Sequence, residues 1–198
     1  GHEDGDFILP PLNISEVVTE SNFIPDGKLF PDMAPGIQGR SQARRHTLST
    51  RVEAAAEAIK ASGEQWLVWH DLNDEGRGLA KLLKSKCCLI EGSTEEGQRE
   101  AHTRNWLGGH VQTLISKPGI YGFGLNFQHC HNLIYLGLSD SFEKWYQSVR
   151  RCWRFGQKEP VNVIIITSDA EISVVENVRR KERQASELAE GIIKAMKE

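Results

Sequence analysis

No apolar run in this 198-residue sequence approaches the roughly 20 residues needed to cross a bilayer. No basic stretch followed by an apolar one opens it either, so no secretory leader is read. Cysteine is scarce: Cys87, Cys88, Cys130 and Cys152 form no CxxC pair, and neighbouring Cys87 and Cys88 are too close to bridge comfortably. A reducing, cytoplasmic setting is therefore expected, without a disulfide framework. Internal repeats and low-complexity tracts are missing as well, which leaves an ordinary globular chain. At 39% hydrophobic and 26% charged residues, it is long enough for one core and short for two domains.

A large excess of one charge is also lacking. The net charge of −3 argues against a stand-alone nucleic-acid binder, but the charge is unevenly spread. Residues 1–35 carry one Lys and seven acids, a balance of −6, whereas residues 36–158 balance at +5 and the remainder at −2. The middle is basic enough to touch phosphates within a larger assembly.

Proline, glycine and aspartate punctuate residues 1–46, at Pro10-Pro11, Pro25-Asp26-Gly27 and Pro35-Gly36. Only 14–19 alternates like a short strand, so the segment reads as extended and connecting or wrapping. The folded domain is expected over 47–198. Thr50 is the expected cap of a helix through Ala61 that ends near Gly63. Apolar runs at 66–70, 87–91, 111–116, 133–136 and 161–167 then alternate with helical patterns at 74–84, 95–107 and 141–153, and Asp169 is placed to cap a last helix. That βα series predicts an α/β fold, a parallel sheet covered by helices on both faces, because strands without polar alternation must avoid water on both sides. Function in such sheets gathers beyond the strands' carboxyl ends.

A phosphate loop is what the sequence most clearly lacks. Gly92 to Arg99 is the nearest match to GxxxxGK[ST], but Gln98 replaces the Lys, Arg99 the hydroxyl, and Glu95-Glu96 would repel phosphate. An acidic first turn on the next helix accounts for the glutamates better. Ser116 to Asn126 follows a strand and carries glycines at 119, 122 and 124. Within and just beyond it, Gly122 to Phe127 begins like GxGxxG, yet Phe127 fills the third glycine's place. The tempting metal set His129-Cys130-His131 has no matching second pair. Asp74-Glu75 sits at a helix start and reads as a cap, as do His70 and Asp71, for which DNA contact is the other reading.

Gln147-Ser148-Val149-Arg150-Arg151-Cys152-Trp153-Arg154-Phe155-Gly156-Gln157 is different. Arginines this dense, interleaved with aromatics, are costly to bury unless anions meet them. On a helix, Arg151 and Arg154 share one face, and two planar guanidiniums suit a transferring phosphoryl group.

The order and spacing resemble the second RecA-like lobe of superfamily 2 helicases, in the Swi/Snf-type branch. Its motif VI, Q-x-x-x-R-x-x-R-x-G-Q, is matched by Gln147, Arg151, Arg154, Gly156 and Gln157. Ser116 to Asn126 resembles motif V, Trp66 to His70 motif IV, and Gly92-Ser93-Thr94 with Arg99 the G-x-T and Arg element. The likeness covers about residues 47–170. Arg150, Trp153 and Tyr121 depart from the usual pattern, and the variants look most like phage and prophage helicases.

The resemblance implies an ATP-dependent DNA helicase or translocase, with RNA as the other polymer. Arg151 and Arg154 would act on the ATP phosphates, Gln147, Gly122 and Gly124 would belong to the nucleotide site, and Ser116, Lys117 and Thr94 would contact nucleic acid. No Walker A Lys-Ser/Thr and no Asp-Glu strand end are present. The expectation is therefore half an active site, silent alone, with Mg2+ supplied by an amino-terminal RecA-like lobe. No resident metal and no membrane partner are expected. Two rivals stay open: a silent RecA-like module docking an acidic partner through its arginines, and a dinucleotide enzyme using the glycine loop.

Overall fold

In the computed structural model, the described residues are 9–20, 44–121, 126–138, 141–172, and 175–177, 179–181, 183–184 and 187 of the carboxyl-terminal segment. Six strands are numbered in chain order: β1 (Leu12–Thr19), β2 (Trp66–His70), β3 (Cys87–Leu89), β4 (Thr113–Ser116), β5 (Asn132–Leu136) and β6 (Val161–Ser168). Among the described residues, the helices of eight or more residues between them are α1 (Leu48–Ala61), α2 (Asn73–Leu83), α3 (Glu96–Leu107) and α4 (Phe142–Val149). The sheet runs β1-β6-β5-β2-β4-β3, and every pairing is parallel.

Alternate residues of each strand serve opposite faces. On one face Leu67, Trp69, Leu114, Leu133 and Tyr135 pack with Trp106 of α3 and with Trp145 and Val149 of α4. On the other, Trp66, Val68, Ile115, Ile134 and Leu136 pack with Val52, Ala55 and Ile59 of α1 and Leu79 of α2. Every residue of β2, β4 and β5 is buried, the reason their sequences lack alternation. The fold is thus the expected α/β, RecA-like sheet with helices on both faces.

Strand β1 alternates between half-buried and exposed residues because it forms an edge. It lies along β6 from Leu12↔Val161 to Thr19↔Ser168, so the one strand-like stretch near the amino terminus is part of the sheet. Arg179 pairs with its Glu16 at 2.6 Å. Residues 1–8 and 21–43 lie outside the described residues.

Two local expectations are corrected. Helix α1 begins one turn early, with Thr47 at its N-cap position, and the Thr50 hydroxyl instead donates to the Thr47 carbonyl at 2.9 Å. The helix expected over 141–153 stops at Val149, so Arg151 and Arg154 stand on turns rather than on one helical face. Long-range bonding explains the stop. Gln157 is buried, its side-chain amide donating to the carbonyls of Gln128, Cys130 and Cys152, while its Oε1 accepts the N–H groups of Lys158 and Glu159. The chain reaches this anchor through Gly156 at φ +89°, a conformation open to glycine at little cost.

Candidate functional site at the strand ends

Beyond the carboxyl ends of β2, β4 and β5 lies a cavity of about 310 Å³, lined by Trp69, Lys117, Tyr135, Leu138, Lys144 and Trp145 among others. Parallel strands aim their carboxyl ends at one edge, so residues far apart in sequence meet there. Trp69 is the hub. It ends up only 1% exposed, meets Tyr121 edge to face with centroids 6.3 Å apart, and lies under the Arg151 guanidinium, 6.0 Å from ring centroid to Cζ.

Arg151 is half-buried on the turn after α4, and its main-chain carbonyl accepts the Phe127 N–H at 2.9 Å. Desolvation pulls its pKa below the ordinary arginine value, partly offset by Tyr135, Cys152 and Tyr121. A guanidinium kept short of water gains from an incoming anion, because that contact replaces lost hydration. Arg154 is also half-buried. Gln147 lies on the exposed side of α4. Gly122 and Gly124, expected in the nucleotide site, lie outside the described residues.

Of the three residues expected to meet nucleic acid, Lys117 alone lines the cavity. Ser116 is fully buried, and its hydroxyl donates to the Ile90 carbonyl at 3.0 Å. That bond ties the end of β4 to the residue after β3. Thr94 closes a turn, its Oγ1 accepting the Glu91 N–H at 2.9 Å and its carbonyl the Arg99 Nη2 at 3.3 Å.

His70 and Asp71 do not cap α2. Glu75 does: its Oε2 accepts the N–H groups of Asp71 and Leu72 at 3.0 and 2.9 Å, filling two donors left over at the helix start. Asp71 pairs with Arg44 at 2.5 Å. The same arginine reaches Glu171 at 2.5 Å and the Leu138 carbonyl at 2.8 Å. Beside it, Arg51 is 0% exposed and pairs with Glu75, also 0% exposed, at 2.6 Å. Sequence reasoning missed this network. Its one local signal is Glu75 three positions into a helix, because the arginines come from another element.

His70 is 3% exposed and its Nδ1 donates to the Leu72 carbonyl at 2.9 Å. A Cβ on Gly76 would stand 2.6 Å from the ring's Nε2, so α2 lies this close only because residue 76 is glycine. Burial brings the His70 pKa down to about 4, against a smaller opposing effect of the Leu72 carbonyl. The unfolded ring takes its proton near pH 6.5 and the folded ring only near 4, so stability is full above 6.5 and falls as pH drops between the two. The loss is about 3 kcal/mol. Urea titrations at pH 7 and 4.5 are expected to show it, and His70→Asn, which keeps a donor towards Leu72, to flatten that limb. An unchanged acid limb in the variant would refute the assignment.

His129 packs edge-on against Trp106 at 4.5 Å, whereas His131 faces Glu64 at 3.4 Å. Among the described residues, no three His, Cys, Asp or Glu side chains come together to hold a metal ion. No helix among them is long and apolar enough to cross a membrane.

Residues 50–156 match the family model described as the helicase conserved C-terminal domain. The chain belongs to that family. The match runs from α1 to Gly156, so it takes in the cavity, Trp69 and both arginines. No curated protein matches the chain.

Solved structures of helicase-type domains share the fold. The C-terminal part of the Fun30 ATPase domain matches at TM-score 0.56 and 20% identity, over 65% of this chain and 45% of that one. A DEAD box protein from the hyperthermophile Methanococcus jannaschii matches at TM-score 0.64 and 18% identity, over 87% and 40%. The E. coli DEAD-box protein SrmB, bound to regulator of ribonuclease activity A, matches at TM-score 0.59 and 16% identity, over 68% and 79%. The chain thus spans less than half of the first two. The likeness to these structures is one of fold, in keeping with a helicase conserved C-terminal domain.

Proposed function

We propose that residues 47–198 form the second RecA-like lobe of an ATP-dependent DNA helicase or translocase, of the Swi/Snf-type branch and nearest the phage forms. Residues 1–46 form the connecting segment, with β1 laid along the lobe's sheet. The observation that carries this reading is the motif VI spacing of Gln147 on α4 and Arg151, Arg154, Gly156 and Gln157 on the turns that follow it, with the Arg151 guanidinium over Trp69 in a parallel sheet.

The donors fit a nucleotide's phosphates. Arg151 is a desolvated guanidinium, Arg154 is half-buried beside it in sequence, and Gln147 is free on α4 to orient them or the nucleotide. Bound ATP supplies the phosphoryl group, and Mg2+ from an amino-terminal lobe offsets its charge. The work of this chain is then to neutralise charge that develops as the phosphoryl group transfers, and to exclude water as the cleft closes. Lys117 and Thr94 contact the nucleic-acid backbone, while Ser116 holds the strand end that presents Lys117. Four free cysteines suit a cytoplasmic enzyme.

The test is hydrolysis. The chain alone is expected to turn over no ATP, and the chain joined to a Walker A-bearing amino-terminal lobe to hydrolyse it faster when DNA is added. A joined protein with no hydrolysis, or with hydrolysis indifferent to DNA and RNA, would overturn the proposal.

A further inference from the structure

We infer that Trp153 is a positioning residue for Arg154: it fastens the arginine's turn to the chain entering β1, so the aim of Arg154 follows the connecting segment. This deepens the reading above and rests on it.

The three arginines of this stretch are held in different ways. Arg151 is fixed from within the lobe, its carbonyl on the Phe127 N–H at 2.9 Å and its guanidinium over Trp69. Arg150 is committed to aromatic rings, its Cζ lying 5.9 Å from the Tyr146 centroid and 5.3 Å from that of Trp153. A guanidinium within about 6 Å of a ring face is attracted to it, and one shared by two rings is not spare for an anion. The Arg154 side chain bonds to no other described residue. Its direction is therefore set by its main chain, and so by whatever holds the residues on either side.

On the carboxyl side the anchor is Gln157, whose N–H donates to the Arg154 carbonyl at 3.0 Å. On the amino side it is Trp153. Its main-chain N–H donates to the Val149 carbonyl at 2.9 Å, which ties it to the end of α4. Its indole Nε1 donates to the Pro10 carbonyl at 2.7 Å, across 143 positions of sequence. Pro10 is itself held, because the next carbonyl, that of Pro11, accepts the Val161 N–H at 2.9 Å and β1 then runs along β6 from Leu12 to Thr19. The arginine turn is thus attached both to its own lobe and to the segment that leads into it.

The ring is also kept in place. Trp153 packs half-buried against the core face that contains Trp69 and Trp145. Phe142, Tyr146 and Arg150 are spaced by four and rise along one side of α4, with Phe142 and Tyr146 stacked at 5.8 Å. Trp153 ends that ladder beneath the Arg150 guanidinium. Arg150 and Trp153 are the two places where this stretch departs from the usual motif VI pattern, so both halves of the contact belong to this chain and not to the motif.

Trp153→Phe tests the inference, because Phe keeps an aromatic face for Arg150 and removes the Nε1 donor. In the chain joined to its amino-terminal lobe, the variant is expected to lower kcat for DNA-stimulated hydrolysis by about tenfold, the scale of one hydrogen bond. KM for ATP and the melting temperature are expected to stay close to wild type. The deciding measurement is the double variant. If Trp153 acts through Arg154, Trp153→Phe adds no further loss to Arg154→Ala, whereas a contact that served the fold alone would lower both backgrounds alike. In the chain by itself, the Trp153 indole proton, assigned in isotope-labelled protein by its disappearance in Trp153→Phe, is expected to exchange with solvent at least about tenfold more slowly than that of free tryptophan. Trp153→Phe hydrolysing like wild type overturns the inference. So does an equal loss in both backgrounds, or an indole proton that exchanges like free tryptophan. Each of these leaves the reading beneath it standing, whereas a joined wild type that hydrolyses no ATP removes that reading and the inference with it.

Discussion

Arg154→Ala, in the chain joined to its amino-terminal lobe, is expected to lower DNA-stimulated ATP hydrolysis by about a thousandfold. Arginine fingers contribute about 10³–10⁵ in rate, and a thousandfold corresponds to about 4 kcal/mol of transition-state stabilisation. The position favours a clean result. Arg154 is half-buried on a turn held by Gln157 and Gly156, and its side chain bonds to no other described residue, so the fold loses little with it. Thermal melting and DNA affinity are expected to match wild type. Turnover and kcat/KM for ATP are expected to fall together, the mark of a contact made only in the transition state. Arg154→Lys is expected to restore little, since one ammonium does not replace a planar two-pronged donor. Arg151→Ala differs, because its guanidinium lies over Trp69 and its loss is expected to lower stability as well as turnover. Near-normal hydrolysis by Arg154→Ala would end the assignment of this residue to the phosphates.

The arginines were legible because motif spacing survives whatever shape the backbone takes; their conformation was not. Local periodicity carries a helix through residue 153, whereas the observed stop at Val149 depends on Gln157 bonding carbonyls at 128, 130 and 152. A window of a dozen residues does not contain those partners. The buried strands were readable for the opposite reason, since a strand covered on both faces prints an unbroken apolar run wherever its neighbours come from. Strand β1 shows both sides of this. Its alternation marked a strand, but nothing near residue 14 says that the pairing partner lies near residue 163. The cavity was invisible for the same reason: Trp69 and Trp145 look like core residues in their own elements, and only the sheet order brings them to one opening. Charge was the least legible of all. Arg44 and Arg51 find Asp71, Glu75 and Glu171 on segments that no sequence spacing connects.

That network yields the largest expected change in stability. Arg51 is 0% exposed and makes three contacts: Glu75 Oε1 at 2.6 Å, the Arg44 carbonyl at 2.6 Å and the Thr47 hydroxyl at 3.2 Å. Arg51→Ala leaves the Glu75 carboxylate buried without its cation, a change that costs about 3–5 kcal/mol, set against a total stability of about 5–15 kcal/mol for a typical domain. Burial already pushes the Glu75 carboxyl up, and Arg51 is the chief influence holding it down, so the variant raises it further. The sign follows from linkage: a carboxyl whose folded pKa exceeds its unfolded value penalises the fold above that pKa, and the penalty fades as pH falls through it. Arg51→Ala should therefore be least stable relative to wild type near neutral pH and recover part of the difference in mild acid. This is opposite in direction to the loss assigned to His70, whose contribution cancels when variant and wild type are compared at each pH. Neutralising both partners, in Arg51→Met with Glu75→Gln, is expected to restore much of the stability, because packing replaces the pair and Gln still accepts the N–H groups of Asp71 and Leu72. Urea unfolding of the single and double variants at pH 7 and pH 5 decides the matter. A single variant within about 1 kcal/mol of wild type, or a double variant no better than the single, would show that the buried pair does not hold α1 and α2 at the strand ends as the geometry requires.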